Sequence, residues 1–570
     1  MQQEKHLEGV GALKRRHVGV WGVVFMIYCL VAAGAFGIEE MIPISGPGLT
    51  LLMLVLFPIF WALPISEMVA ELGAVLPSEG GAYVWTRDAL GEMWGWQVGF
   101  WGTISTWLQQ AMYVVLVVGY VEKFWHMSPM TATILKVAMI VIFSAVNLMG
   151  IKEVSSLSTI FSLLVIVGFA AVMIVGFANW NTSPIEPFYN EEEGVVGSLG
   201  GSICIAIWMY SGYECMSNVA GELENPQAIP KGLIIAMPII ALSYLLPTMA
   251  GLASVGNWEL WNTEGENAIG YMDVLIQFVG PAAGMGFLII AILSNCSIFN
   301  AYIASGSRGF FVMADDHLFP RFLCRVSKKR GVPALSIIIM AVFTIFLCKF
   351  DFVTLAMATT PPMLYLYMCL AVAVHRLRKV YPLEERKKLG LYYIPFGKAG
   401  LYAMTICPFI IAGIALYVNG TDYFISGFLM LAISLVGYLI CKWVYGGMAK
   451  EDPIGHPLNP KTKLAQGDTV YIGAYVALAG FVALLGSVLL KWYEGSWGEE
   501  YYLEEYGSGF FSDFWGMINW CRIGGIVLLV VGLVIFFIGR KKDPTLPIRQ
   551  QPIPTEGLGV SLKKEFRDKA

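Results

Sequence analysis

About fourteen apolar runs divide this chain, and each is near the 20 residues that an α-helix needs to cross a bilayer. Only 14% of the residues are charged, whereas soluble domains carry about 25%, and the mean hydropathy is +0.66. The pattern therefore predicts an all-α integral membrane protein. The runs lie at roughly 17–41, 48–71, 94–121, 131–150, 157–177, 197–220, 232–255, 274–305, 334–350, 352–374, 399–418, 423–445, 470–491 and 517–539.

Charge and cysteine content exclude several functional classes. The formal net charge of −4 gives no reason to expect a nucleic-acid partner. The ten cysteines form no CxxC pair and no disulfide framework. No nucleophile–base pair and no metal-ligand pattern stands out, so we expect no enzyme, no metal and no cofactor.

Lysine and arginine are concentrated in alternate loops, which predicts the orientation of the chain. The segments 307–330 and 376–398 are rich in both residues, as are the two ends of the chain. The loops 179–196 and 494–514 contain neither. We therefore expect a multi-pass protein of the plasma membrane with both termini in the cytosol.

Two of the fourteen runs are interrupted. In the first, "GAFGIEE" (34–40) places two glycines just before two glutamates. In the sixth, Ser211 and Gly212 stand mid-run, with Glu214 close behind. Glycines in membrane helices often only permit close packing, and that interpretation stays open for either break alone. Two interrupted helices at matching places of an internal repeat favour a transporter binding site instead.

Four motifs in chain order resemble those of the amino acid–polyamine–organocation transporter superfamily. They are "GAFGIEE" (34–40), "SEMVAELGAVLPSEGGAYVW" (66–85), "YSGYECMSNVAGELENPQAIPKG" (210–232) and "SRGFFVMADDHLFPRFLCRVSKKRGVPALS" (307–336). The resemblance covers about residues 17–445 and implies a five-plus-five inverted-repeat fold with helices 1 and 6 broken. It also implies alternating access, with the substrate held between helices 1, 3, 6, 8 and 10.

The resulting organisation has five parts. They are a cytosolic N-terminus (1–16), a ten-helix inverted-repeat core (17–374), helices 11–12 (375–445), additional helices 13–14 (446–539) and a basic cytosolic tail (540–570).

The resemblance also assigns residues to the site. The backbone of the first break would bind the carboxylate of a substrate, and the carbonyls of the 207–213 stretch would bind its ammonium group. An aromatic side chain, Trp208, would close the site, and acids near both breaks would serve gating or proton coupling. The substrate-binding candidates are Ala33, Gly34, Ala35, Phe36, Gly37, Gln109, Tyr113, Ile207, Trp208, Tyr210, Ser211, Gly212, Asn300 and Tyr365; the gating and coupling candidates are Glu39, Glu40, Trp208 and Glu214.

Substrate charge separates the two main candidates. The motifs look most like the polyamine-uptake branch, yet Gln109 and Asn300 stand where acids would be expected for a polycation. We therefore favour an amino acid substrate, with a polyamine or amine second and a non-transporting nutrient sensor on the same scaffold third. The fifth run (155–177) lacks the lysine that replaces a sodium ion in some members, which favours exchange over proton symport. The expected partners are the small-molecule substrate, the bilayer and, where transport is proton-coupled, protons.

Overall fold

The computed structural model describes residues 9–32, 34–122, 125, 127–262 and 268–545, and every regular element in them is a helix. Fourteen main helices follow the order of the predicted runs. They are α1 (Val20–Val31), α2 (Pro47–Val75), α3 (Glu92–Glu122), α4 (Pro129–Asn147), α5 (Ile151–Ala178), α6 (Gly194–Met209), α7 (Ala228–Ser254), α8 (Pro281–Asp315), α9 (Ala334–Leu347), α10 (Phe352–Val380), α11 (Gly397–Val418), α12 (Thr421–Tyr445), α13 (Asp468–Glu494) and α14 (Phe514–Lys542).

Eleven helices in the described residues are long and apolar enough to cross a membrane. The other three are α1, α6 and α9, with 12, 16 and 14 residues. Two of these are the helices that the sequence predicted to be broken. The all-α membrane fold is therefore confirmed.

Glycines with positive φ end the two broken helices. Gly34 has φ 106° and Gly37 has φ 90°, and the chain then resumes as a 3-10 turn, Ile38–Glu40. After α6, Gly212 has φ 104° and is followed by a 3-10 helix, Tyr213–Glu222. L-residues other than glycine populate this region only at a cost of about 1–2 kcal/mol. The glycines at these positions therefore favour the two breaks.

Helix α10 departs from a simple expectation. Two adjacent prolines, Pro361 and Pro362, lack the N–H that a helix interior needs and predict a break or a kink. The helix nevertheless runs from Phe352 to Val380 as one element. Thr359 and Thr360, just before the prolines, are buried, which shows that other parts of the protein enclose the helix at this level.

The helices that carry the breaks lie at the centre of the bundle. Helix α1 packs on α7, α5 and α8, and α3 packs on both α8 and α10. The 3-10 helix after α6 contacts α8 and α1. This arrangement brings α1, α3, α6, α8 and α10 together around the two breaks.

The last two helices form a close antiparallel pair. A Cβ on Gly532 of α14 would lie 2.2 Å from the backbone nitrogen of Ala477 in α13. A Cβ on Gly480 of α13 would lie 2.3 Å from the nitrogen of Leu529. Glycine is required at these positions because the two backbones touch, a packing mode common in membranes.

Candidate substrate site

The two helix breaks lie against each other. A Cβ on Gly37 would stand 3.0 Å from Cζ3 of Trp208, and one on Gly212 would stand 2.8 Å from the carbonyl oxygen of Leu30. Each glycine therefore leaves the space that the opposite helix occupies. Each break therefore lies against the last turn of the opposite helix, since Leu30 is in α1 and Trp208 is in α6.

One tyrosine connects the ends of the two half-helices. The hydroxyl of Tyr244 in α7 lies 2.9 Å from the carbonyl oxygen of Val31 and 3.0 Å from that of Met209. These are the last residues of α1 and α6, whose carbonyls have lost their helical partners. Tyr210 packs edge-on against the Tyr244 ring, with its own hydroxyl on the carbonyl of Leu54. Nothing in the sequence pattern singled out Tyr244.

Glu214 is the acid at the second break. The hydroxyl of Tyr367 in α10 donates to Glu214 Oε2 over 2.8 Å and accepts from the Gly212 N–H over 3.1 Å. Glu214 also lines a cavity of about 20 Å³ with Thr106 and Asn218. That volume holds about one water molecule. The carboxylate is therefore oriented by α10 and lies beside a small cavity.

Aromatic rings form a wall next to both breaks. Trp208 meets Phe352 edge-on at 5.3 Å between centroids and lies 6.3 Å from Tyr113. Tyr302 of α8 lies 5.4 Å from Tyr113, and its hydroxyl donates to Gln109 Oε1 over 2.8 Å. The buried Trp208 Nε1 has no hydrogen-bond partner among the described residues. A buried donor of this kind is normally satisfied.

At the first break an acid accepts a hydrogen bond from the backbone of a residue two positions earlier. The Gly37 N–H donates to Glu39 Oε2 over 2.9 Å, and Glu39 is only 3% exposed. Glu40 next to it is half-buried. The Phe36 ring packs on Phe169 at 5.0 Å.

The remaining backbone candidates lie in the same region. Ala35 and Ile207 are fully buried, and the Ser211 hydroxyl donates to the Ile207 carbonyl. A Cβ on Gly34 would stand 2.3 Å from the Phe169 ring. Ala33 lies outside the described residues.

Two predicted site residues point elsewhere. Asn300 accepts from Asn147 of α4 over 2.9 Å, and Tyr365 packs on Trp101 at 5.5 Å. The residues that face the breaks are Tyr302 and Tyr367, each two positions further along. Two positions rotate a side chain by about 200° around a helix. Because α8 and α10 are apolar on most sides, the sequence carried no signal for this rotation.

Ionic contacts fasten the continuation of α6 to α8. Arg308 Nη2 lies 2.6 Å from Glu222 Oε1, and Glu79 accepts from the Gly221 N–H over 2.7 Å. Burial, with Glu222 close by, raises the pKa of Glu79 well above its usual range. Arg308 Nε lies 3.8 Å from Glu79 Oε1, so both carboxyl groups lie beside one guanidinium.

Glu67 and Glu71 of α2 are both bound to side chains of the segment that includes the end of α10 and the residues after it. Glu71 lies 2.6 Å from Arg378 and 2.5 Å from Arg386, and Tyr392 donates to Glu67. These contacts fix the end of α2 against the segment that follows α10.

Comparisons with known proteins identify the family of the chain. The sequence pattern of the amino acid permease family matches residues 18–441. A probable polyamine transporter of Arabidopsis thaliana is 28% identical over 411 residues, which are 70% of this chain and 78% of that protein. A polyamine transporter of Oryza sativa subsp. japonica is 27% identical over 440 residues, which are 74% of this chain and 77% of that protein.

The fold also matches a solved structure. The crystal structure of MhsT in complex with L-phenylalanine aligns with a TM-score of 0.55 and 13% identity, over 71% of this chain and 99% of MhsT. This likeness concerns the fold and confirms the expected architecture. The chain belongs to the amino acid permease family of the amino acid–polyamine–organocation superfamily, and is a multi-pass secondary transporter of its polyamine and amino acid branch.

Proposed function

We propose that the chain moves amino acids, or amines closely related to them, across the plasma membrane by alternating access. The observation that carries the proposal is the single carboxylate at the second break. Glu214 is oriented by Tyr367 and lies where α6 meets α1. A carboxylate in a low-dielectric site is the natural partner of one substrate ammonium group.

The other polar groups near this carboxylate are neutral. Gln109 and Tyr302 hydrogen-bond each other, and Asn300 lies against α4. A polyamine would bring two or more ammonium groups, and each needs a carboxylate to offset the loss of hydration. This favours a substrate with one ammonium group. The names of the plant relatives favour a polyamine, which is the second candidate.

Exchange fits the contacts around α5 better than proton symport. Helix α5 carries no lysine beyond Lys152 near its start. Facing the first break it offers Ser162, whose hydroxyl lies 3.0 Å from Cys29 Sγ, and Ser297 of α8 lies 3.1 Å from the same sulfur. These groups are neutral. Glu214 remains the candidate proton carrier if transport is coupled.

The test is counterflow in liposomes that contain the purified full-length chain. Liposomes preloaded with unlabelled amino acids, amines or polyamines should take up the labelled amino acid or amine. Glu214→Gln should abolish uptake, and so should Gly37→Val, whose side chain would meet Trp208. Gly413→Ala is the control, because a Cβ there meets nothing within 4 Å.

Three results would change the proposal. Exchange of polyamines alone would make the second candidate correct. Binding without exchange would make the chain a nutrient sensor on a transporter scaffold. Uptake that requires a pH gradient would replace exchange with proton symport.

A further inference from the structure

A cavity of about 140 Å³ lies between the first ten helices and the loop that joins α12 to α13. One wall is formed by the helix Gly81–Leu90, the start of α3 and the end of α10, and the other by residues 455–457 and 465–468. The family pattern ends at residue 441, so the second wall lies beyond it. The predicted topology places this cavity on the cytosolic side. It shares no lining residue with the substrate site.

One oxygen of a buried carboxylate at this cavity lacks a partner. Glu92, the first residue of α3, is 4% exposed and lines the cavity. Its Oε1 accepts from Lys442 Nζ over 2.5 Å, whereas Oε2 has no hydrogen-bond partner among the described residues. Buried carboxylate oxygens are normally hydrogen-bonded. Glu92 Oε2 is therefore an acceptor that a ligand in the cavity can use.

Carboxylates outnumber permanent cations around the cavity. Arg87 lies 2.9 Å from Asp88 and also contacts Asp316, so its charge is already engaged. Asp468 is 1% exposed and lines the cavity as well. The acids are Asp88, Glu92, Asp316 and Asp468, and the permanent cations are Arg87, Lys442 and Arg376, the last of which interacts with the lining residue Tyr471. Positive charge is thus missing whenever His456, the other titratable lining group, is neutral, and a cationic ligand supplies it.

The rest of the lining is largely apolar. Leu90, Leu377, Val380 and the ring of Tyr471 contribute to the walls. A cavity of about 150 Å³ holds a molecule the size of benzene, so a ligand of about five or six heavy atoms fits. A bare metal ion would leave the apolar walls unfilled, and no group of three metal-ligating side chains occurs in the described part of the chain.

We propose that this cavity is a binding site for a short alkylammonium ion, whose ammonium group donates to Glu92 Oε2 and whose carbon chain packs on Leu377 and Val380. The site is separate from the two helix breaks, and the inference does not depend on the proposed function. Because the walls come from two parts of the chain, the bound ion connects the loop before α13 to α3 and α10. It should therefore raise the melting temperature of the protein.

The test measures equilibrium binding of labelled butylammonium to the purified full-length chain. Glu214→Gln serves as the background, since it removes the carboxylate at the second break and with it any binding there. In this background Glu92→Gln should weaken binding at least about tenfold, because a hydrogen bond to a charged group is lost. The increase in melting temperature with butylammonium should disappear with it.

A second variant removes space instead of charge. Ala465 is a half-buried loop residue of the lining, so Ala465→Phe should fill the cavity and also weaken binding at least about tenfold. The matched control is Glu451→Gln. Glu451 is an acid of the same loop with a 69% exposed side chain, it does not line the cavity, and its loss should leave the affinity unchanged.

Three results would overturn the inference. Binding of 1-butanol as tight as that of butylammonium would show that the cavity selects apolar groups alone. Displacement of butylammonium by sodium or potassium chloride at constant ionic strength would assign the site to a metal ion. No binding, or equal affinity before and after Glu92→Gln, would show that the cavity holds only water. Should Glu92→Gln not fold, the affinity of Ala465→Phe decides.

Discussion

Two tyrosines of α10, two positions apart, have opposite surroundings. The Tyr367 hydroxyl bonds both Glu214 and the Gly212 N–H, whereas the Tyr365 hydroxyl has no hydrogen-bond partner among the described residues. Tyr367→Phe should therefore weaken substrate binding by roughly 1.5–3 kcal/mol, the value of a hydrogen bond to a charged group. Tyr365→Phe should change it by less than about 0.5 kcal/mol.

Equilibrium binding of a labelled substrate to the purified variants measures this difference. Melting temperatures of both variants serve as the control for folding. Equal losses of affinity in the two variants would show that Tyr367 does not orient Glu214 for the substrate.

At the scale of residues, some parts of the site could be predicted from the sequence and others, such as the choice between Tyr365 and Tyr367, could not. Gly34, Gly37 and Gly212 were predictable, because a positive φ has a chemical signature in the chain itself. The side chains of α8 and α10 that face the breaks were not. Both helices are apolar around most of their circumference, so no hydrophobic period fixes which side faces the centre.

At the scale of elements, the pairing of α13 with α14 depends on glycines, because a side chain of one hydrogen atom leaves room for the backbone of the other helix. Gly532→Ala would place a methyl group 2.2 Å from the Ala477 nitrogen, where only movement of a backbone can relieve the contact. We expect a loss of about 1–3 kcal/mol of stability, as for other overpacked sites. Gly524→Ala on the same helix meets only the Trp520 ring, at 3.9 Å or beyond, and should be neutral.

Thermal unfolding of the purified protein, followed by tryptophan fluorescence, compares these variants. A lower melting temperature for Gly532→Ala alone is the expected result. If Gly524→Ala is equally destabilised, the loss reflects helix composition rather than contact between the two helices.

Outside α8 and the two broken helices, the helix ends were predictable to within six residues, because hydropathy sets the length of a span and its backbone must satisfy its own hydrogen bonds in lipid. Helix α8 was expected at 274–305 and runs from 281 to 315 instead. The first and sixth were correctly expected to be broken. The double proline of α10 does not end the helix, which continues through Pro361 and Pro362. Membrane helices tolerate proline when neighbouring groups satisfy the freed carbonyls, and such neighbours are invisible in a single sequence.

For the whole molecule, the distribution of basic residues predicts one topology that labelling can check. The loops 179–196 and 494–514 contain no lysine or arginine, and the segment 376–398 is rich in both. Cysteines introduced at exposed Ser183 and Ser508 should react with a membrane-impermeant maleimide in intact cells, and one at exposed Lys388 only after permeabilisation. The unmodified chain gives the background, since its nine described cysteines are buried or half-buried. Labelling of Ser183 and Ser508 from opposite sides would require an odd number of spans between them, which contradicts the eight helices from α6 to α13 that the structure places there.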